Sequence, residues 1–204
     1  SAEISVSVDG DILRIRGVRR PRVDDDAQRL HQMEIASGPF ERAIRIVAAV
    51  RRDRPDVHLH VVGRIGDRAY FRGLKRLARS LGDWIEFETD VPASRKAELL
   101  ASHRYGIHGK ENEPFGITIA ELVKAGCLVW VPRGGGQVEI VAHEALTYSG
   151  IEDGASRVLA VLADEARQGE LLAHLARRAR CFSVERFESD VREIVARFIA
   201  THER

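Results

Sequence analysis

Apolar and polar positions along this chain repeat with two different periods. Residues 4–8 (Ile-Ser-Val-Ser-Val) and 12–16 (Ile-Leu-Arg-Ile-Arg) alternate at every second position around Asp9-Gly10-Asp11. That pattern predicts a β-hairpin. Residues 17–28 are charged, contain Pro21 and run through three successive aspartates, and so read as a linker. From residue 30 onward, short apolar runs alternate with stretches of helical period. Strands are predicted at 30–35, 56–62, 84–87, 105–108, 127–131 and 145–148. Between them the 3.6-residue period predicts helices. The first runs over 39–52, with Pro39 opening it and Phe40, Ile44, Val47 and Val50 on one face. The second runs over 67–81, with Tyr70, Phe71, Leu74 and Leu77 as its stripe, and the third over 92–102 with Ala97, Leu99 and Leu100 inward. A helix over 115–124 and one carrying Glu139 follow, and helices at about 153–167, 169–180 and 184–202 finish the chain. Strict strand–helix alternation predicts an α/β fold with a doubly wound parallel sheet. The expected organisation is a hairpin and linker at 1–28 and one domain at 29–204.

Composition narrows the function classes. A chain of 204 residues, 44% hydrophobic and 31% charged, describes a soluble globular domain with a good core. The net charge of +1 gives none of the basic excess expected of a nucleic-acid-binding protein. The basic residues are nearly all arginine, which reads as a composition effect. Cys127 and Cys181 read as free thiols in a reducing compartment. No apolar run reaches membrane-spanning length and no signal segment heads the sequence, so the expected location is cytoplasmic. No cluster of metal ligands is visible, so no metal is expected.

The chemistry concentrates between residues 105 and 141. A strand, a polar loop at 109–114, a helix, a second strand, the triplet Gly134-Gly135-Gly136 and another helix follow one another. In such a unit both loops lie at the carboxyl ends of parallel strands, where open α/β sheets bind ligands. The helix start at Phe115, Gly116 and Ile117 offers backbone N–H groups and a positive dipole end, which suit a phosphate. Glu113 and Glu121 are separated by seven residues. Two carboxylates beside a phosphate site suit hydroxyl groups, through charge-assisted hydrogen bonds. A ligand with both phosphates and hydroxyls is a nucleotide sugar.

The pair Glu113 and Glu121, with Phe-Gly-Ile between them, then Ala-Gly, a strand and Gly-Gly-x-x-Glu-Ile-Val, resembles the donor-site signature of the family 4 (group 1) glycosyltransferases. The wording Asn-Glu-x-Phe-Gly-Ile with His108 upstream is similar to the branch containing the lipid-linked-oligosaccharide mannosyltransferases. The resemblance covers roughly residues 29–200. It implies a Rossmann-like domain, the C-terminal donor-binding half of a two-domain GT-B enzyme. It implies transfer of a sugar, with retention, from a nucleoside diphosphate sugar to an acceptor hydroxyl, with no cofactor beyond that donor. Glu113 would approach the donor sugar as the catalytic carboxylate and Glu121 the ribose hydroxyls. Phe115, Gly116, Ile117, Gly134, Gly135, Gly136 and Glu139 would contact the donor. Gly63, Arg64, Lys110 and Arg133 are candidate phosphate or base contacts. The partner implied is an N-terminal acceptor domain, through which the full-length protein could also meet a membrane.

Each site also has a plainer reading. Glu139 suits a helix first turn, His108 a structural role at a strand end, and Lys110 a solvated surface. The family usually places an Arg and a Lys in the loop before its first helix. The corresponding positions here fall near Met33 and Gly38, and neither is basic. The alternative is therefore a non-catalytic nucleotide-sugar-binding module of the same fold. A sugar-nucleotide epimerase is a third reading, against which the Glu113–Glu121 spacing speaks.

Overall fold

The computed structural model describes residues 3–9, 12–18 and 38–202. Strands β1 (Glu3–Asp9) and β2 (Ile12–Val18) pair antiparallel, from Glu3 opposite Val18 to Asp9 opposite Ile12, as the alternating pattern predicts. They belong to a unit of their own, and the body of the protein is Ser37–Arg204. The strand expected at 30–35 lies outside the described residues.

The body opens with helix α1 (Pro39–Val50), whose Pro39 occupies the first turn, where its missing N–H costs nothing. Strand β3 (Leu59–Gly63), helix α2 (Arg68–Leu81), strand β4 (Ile85–Thr89) and helix α3 (Ala93–Ser102) follow. Next come strand β5 (Tyr105–Ile107), helix α4 (Ile117–Lys124), strand β6 (Leu128–Pro132) and the short helix α5 (Gln137–Val141). Strand β7 (Thr147–Tyr148) and helices α6 (Gly150–Leu162), α7 (Glu165–Ala179) and α8 (Val184–His202) complete it. Strands β3 and β4 pair in parallel; β6 is central to a second parallel group, β5-β6-β7. Parallel strands flanked by helices are the α/β architecture the alternation predicts.

β6 shows why the sequence reads as a continuous apolar run. Every residue from Leu128 to Pro132 is buried, as in a parallel strand covered on both faces. Around it Ile46 and Val50 of α1, Ile119 and Val123 of α4, Ile140 of α5, Tyr148 of β7 and Leu171 and Leu175 of α7 form the main core. A smaller cluster joins Ile44 of α1, Val61 of β3 and Leu74 of α2. Helix α1 therefore contributes to both.

Several boundaries shift for identifiable reasons. Helix α4 begins at Ile117 rather than Phe115, because Gly116 takes a left-handed conformation (φ 96°, ψ 50°) and ends the loop there. The helix expected at 153–167 spans 150–162, because Asp164 caps a new helix by accepting from the Arg167 N–H. Ala97, expected inward, is exposed; α3 lies at the surface and only Leu99 is fully buried. Helix α8 leaves Val184, Phe187 and Ile194 more than 60% exposed.

Ile46 is fully buried among these elements. Its replacement by alanine should cost about 3–4 kcal/mol. The denaturant midpoint should fall with little change in slope, whereas Phe187→Ala, on an exposed side chain, should stay within roughly 0.5 kcal/mol of the parent.

Candidate functional site

The site is built where β5 and β6 end. The His108 N–H continues the ladder by donating to the Trp130 carbonyl at 2.9 Å. The buried Tyr148 hydroxyl donates to the His108 carbonyl. The loop that follows meets the loop after β6 backbone to backbone. The Gly136 N–H donates to the Glu113 carbonyl at 2.9 Å. A Cβ on Gly135 would lie 2.4 Å from that carbonyl oxygen, and Gly135 has a φ of +72°. Only glycine combines that conformation with that approach.

Gln137 ties the same loops together from beneath. It is fully buried, and its Nε2 lies 3.1 Å from the Lys110 carbonyl, 3.0 Å from that of Pro132 and 3.1 Å from that of Gly134. Arg42, in the first turn of α1, donates to the Gly109 carbonyl and pairs with Glu111 at 3.1 Å, its side chain only 15% exposed. Three elements thus hold one loop.

On that loop Glu113 Oε2 pairs with Lys110 at 2.9 Å, and His108 Nε2 lies 4.0 Å from the same oxygen. The Lys110 hydrogen bond pulls the Glu113 carboxyl below its usual pKa range; partial desolvation opposes this, and the charges of Lys110 and His108 and the Phe115 backbone add to the lowering. Glu113 is an anion at neutral pH. Burial pushes His108 below its usual value, against the attraction of Glu113, so its imidazole is neutral there. Phe115 and Ile117 flank Gly116 and are both more than half exposed. The Gly116 carbonyl accepts from the N–H groups of Ile119 and Ala120, which leaves the preceding N–H groups at the mouth of α4 outside the helical ladder.

The expected site residues divide into groups. Lys110, Glu113, Phe115, Gly116 and Ile117 share one loop and helix start, and Gly134, Gly135 and Gly136 pack against it. Glu121, in the second turn of α4, pairs with Lys96 of α3. Glu139 is exposed in the first turn of α5. Gly63 and Arg64 line a separate groove with Phe40, Tyr70, Phe71 and Phe87, and the Arg64 side chain is 95% exposed. Arg133 is drawn to Glu144 at 3.0 Å, not to the loop.

Sequence reasoning missed Arg42, Lys96, Gln137 and Tyr148. For Gln137 the available signal was its place directly after the glycine triplet. Lys96 had one too. The chain has only four lysines, at 75, 96, 110 and 124, and two of them neutralise the two glutamates of the motif.

The profile of the glycosyl transferases group 1 family matches residues 39–181. The chain belongs to that family. It is 31% identical over 136 residues to the GDP-Man:Man(3)GlcNAc(2)-PP-Dol alpha-1,2-mannosyltransferase of Xenopus tropicalis, covering 64% of this chain and 27% of that protein. The human protein of the same name is 29% identical over 129 residues, with 59% and 25% covered. The chain thus spans about a quarter of the length of these relatives. Among solved structures, Anabaena HepE in complex with UDP and glucose superposes with a TM-score of 0.67 at 19% identity, covering 86% of this chain and 53% of that one. Sucrose-phosphate synthase from Thermosynechococcus elongatus gives 0.65 at 20% identity, covering 87% and 49%. These structures establish a GT-B glycosyltransferase fold for the group 1 domain.

The His108 environment sets a pH dependence. Its pKa is lowered from 6.5 in the folded state, so the unfolded chain takes up the proton first as pH falls. The contribution of neutral His108 is therefore fully present above about pH 6.5 and is lost as pH drops through the unfolded value towards the folded one. Denaturation midpoints between pH 7.5 and pH 5, near the unperturbed histidine value of ~6.5, should fall more steeply for the parent than for His108→Gln. Gln137→Leu should lower stability by about 1–3 kcal/mol at all pH values, since it leaves buried carbonyls without a donor.

Proposed function

We propose that this chain is the donor-binding part of a retaining glycosyltransferase and that its donor is a nucleoside diphosphate sugar. The observation that carries this reading is Glu113. It is an ionised carboxylate, held by Lys110 on a loop that is locked to the glycine triplet and opens into the start of α4. A carboxylate for sugar hydroxyls and backbone N–H groups for phosphate stand within one loop and its helix. Glu113 contacts the transferring sugar and helps orient it; Glu121 takes the ribose hydroxyls. The helix start and the Gly134–Gly136 loop face the diphosphate, whose departure they favour by donors fixed before reaction. Arg42 and Lys110 supply cations at the 109–114 loop, in place of the Arg and Lys that the resemblance would put in the loop before the first helix, near Met33 and Gly38. Guanosine and mannose are the first base and sugar to test, because the relatives named above are GDP-mannose enzymes.

The acceptor is bound by a part of the enzyme with no counterpart here, since the chain spans a quarter of its relatives. The isolated chain therefore binds donor and transfers slowly or not at all, as positioning of both reactants supplies much of the rate.

Titration calorimetry with GDP, UDP, ADP and their common sugars checks this. The expected result is saturable binding of one nucleotide class, weakened about tenfold or more by Glu121→Ala, in line with the loss of a charge-assisted hydrogen bond. Absence of binding across the panel, in a chain that melts cooperatively, would overturn the donor-site reading.

A further inference from the structure

Helix α2 carries a surface charge unlike any other in the body. Its fourteen residues include Arg68, Arg72, Lys75, Arg76 and Arg79 and no acidic residue, in a chain whose total charge is +1. At about 100° per residue these five fall within roughly one third of the helix circumference, along about 16 Å of its length. All five are exposed, while Leu74 and Ala78 on the opposite side are buried. On α6, α7 and α8 several arginines pair within their own helix, Arg157 with Asp153, Arg167 with Glu170, Arg186 with Asp190, Arg192 with Glu188 and Arg197 with Glu193, although exposed Arg177 of α7 has no carboxylate partner among the described residues. On α2 no arginine has a carboxylate partner among the described residues. Two acids beside it are engaged: Asp67 caps α2 by accepting from the Ala69 and Tyr70 N–H groups, and Glu41 of α1 is held by Arg45. Lys75 rests its ammonium 4.8 Å from the Phe71 ring centroid, still exposed to solvent.

We infer that the α2 face is a docking surface for an anionic phospholipid bilayer. A row of like charges with no internal partner is self-repelling, and a polyanionic plane relieves that repulsion. Two observations favour a bilayer over nucleic acid. The stripe has no exposed aromatic ring on which bases could stack. Among the described residues only α2 presents a run of five exposed cations with no acid on the same helix, so a plane meets that charge at one face, whereas a flexible polyanion would also meet the acids elsewhere. The apolar side of α2 is committed to the core, so contact is electrostatic and reversible, without insertion. Among the described residues no helix is long and apolar enough to cross a membrane, and this mode needs none. The inference is independent of the donor-site reading.

Co-sedimentation of the chain with vesicles of phosphatidylcholine alone, or of phosphatidylcholine mixed with phosphatidylserine, tests it. The chain should partition onto the mixed vesicles only, and release at ~0.5 M salt, where screening is nearly complete within a few ångströms. Each positive charge at such a surface is worth about fivefold in partitioning, so Arg72→Glu/Arg76→Glu should abolish it. Neither side chain has a partner to lose, so the variant should melt like the parent. A control reversal on α8, Arg186→Glu/Arg192→Glu, makes the same change in net charge and should retain binding. Equal loss in both double variants, or no partitioning of the parent, would overturn the inference. So would displacement of the chain from the vesicles by low concentrations of single-stranded RNA that depends on the same two arginines.

Discussion

The arrangement depends on a steric condition at two loops. The turn after β6 must approach the turn after β5 closely enough for the Gly136 N–H to reach the Glu113 carbonyl. A side chain at position 135 would occupy the space of that carbonyl oxygen. The glycines therefore act first on the protein itself: they let one loop serve as the floor of the other. Gln137 and Arg42 then satisfy the carbonyls that such an approach would otherwise leave buried and unpaired. Glu113 inherits its position from this packing.

The group 1 fold was legible because its signals are local. β6 is a run of buried apolar residues with a period no exposed element would show, and the alternation of such runs with helical stretches fixes the class. The Glu113–Glu121 motif was equally legible, because spacing and residue type are both properties of the chain. Partners were not. Lys96 stands 25 residues from Glu121, and Arg42 stands 67 from Gly109; neither separation leaves a periodic trace. Helix ends failed where a single residue decided them, as at Gly116, whose left-handed backbone postpones α4 by two residues, and at Asp164, which starts a helix inside a stretch of uniform helical period.

Composition also misled in one respect. Twenty-eight arginines against four lysines read as a background preference, and on α8 the exposed Arg186, Arg192 and Arg197 each have a carboxylate. The average concealed the one helix where the acids are missing. A net charge near zero describes the sum over the surface and says nothing about its distribution, which is what a partner meets.

Helix α1 is shared by both apolar clusters. Ile44 faces the cluster of β3 and α2, whereas Ile46 and Val50 face the core around β6. Because one rigid element lines both clusters, detaching it would expose both to water at once. Opening either strand group therefore uncovers part of α1, which couples the two groups through a helix that makes none of their sheet hydrogen bonds.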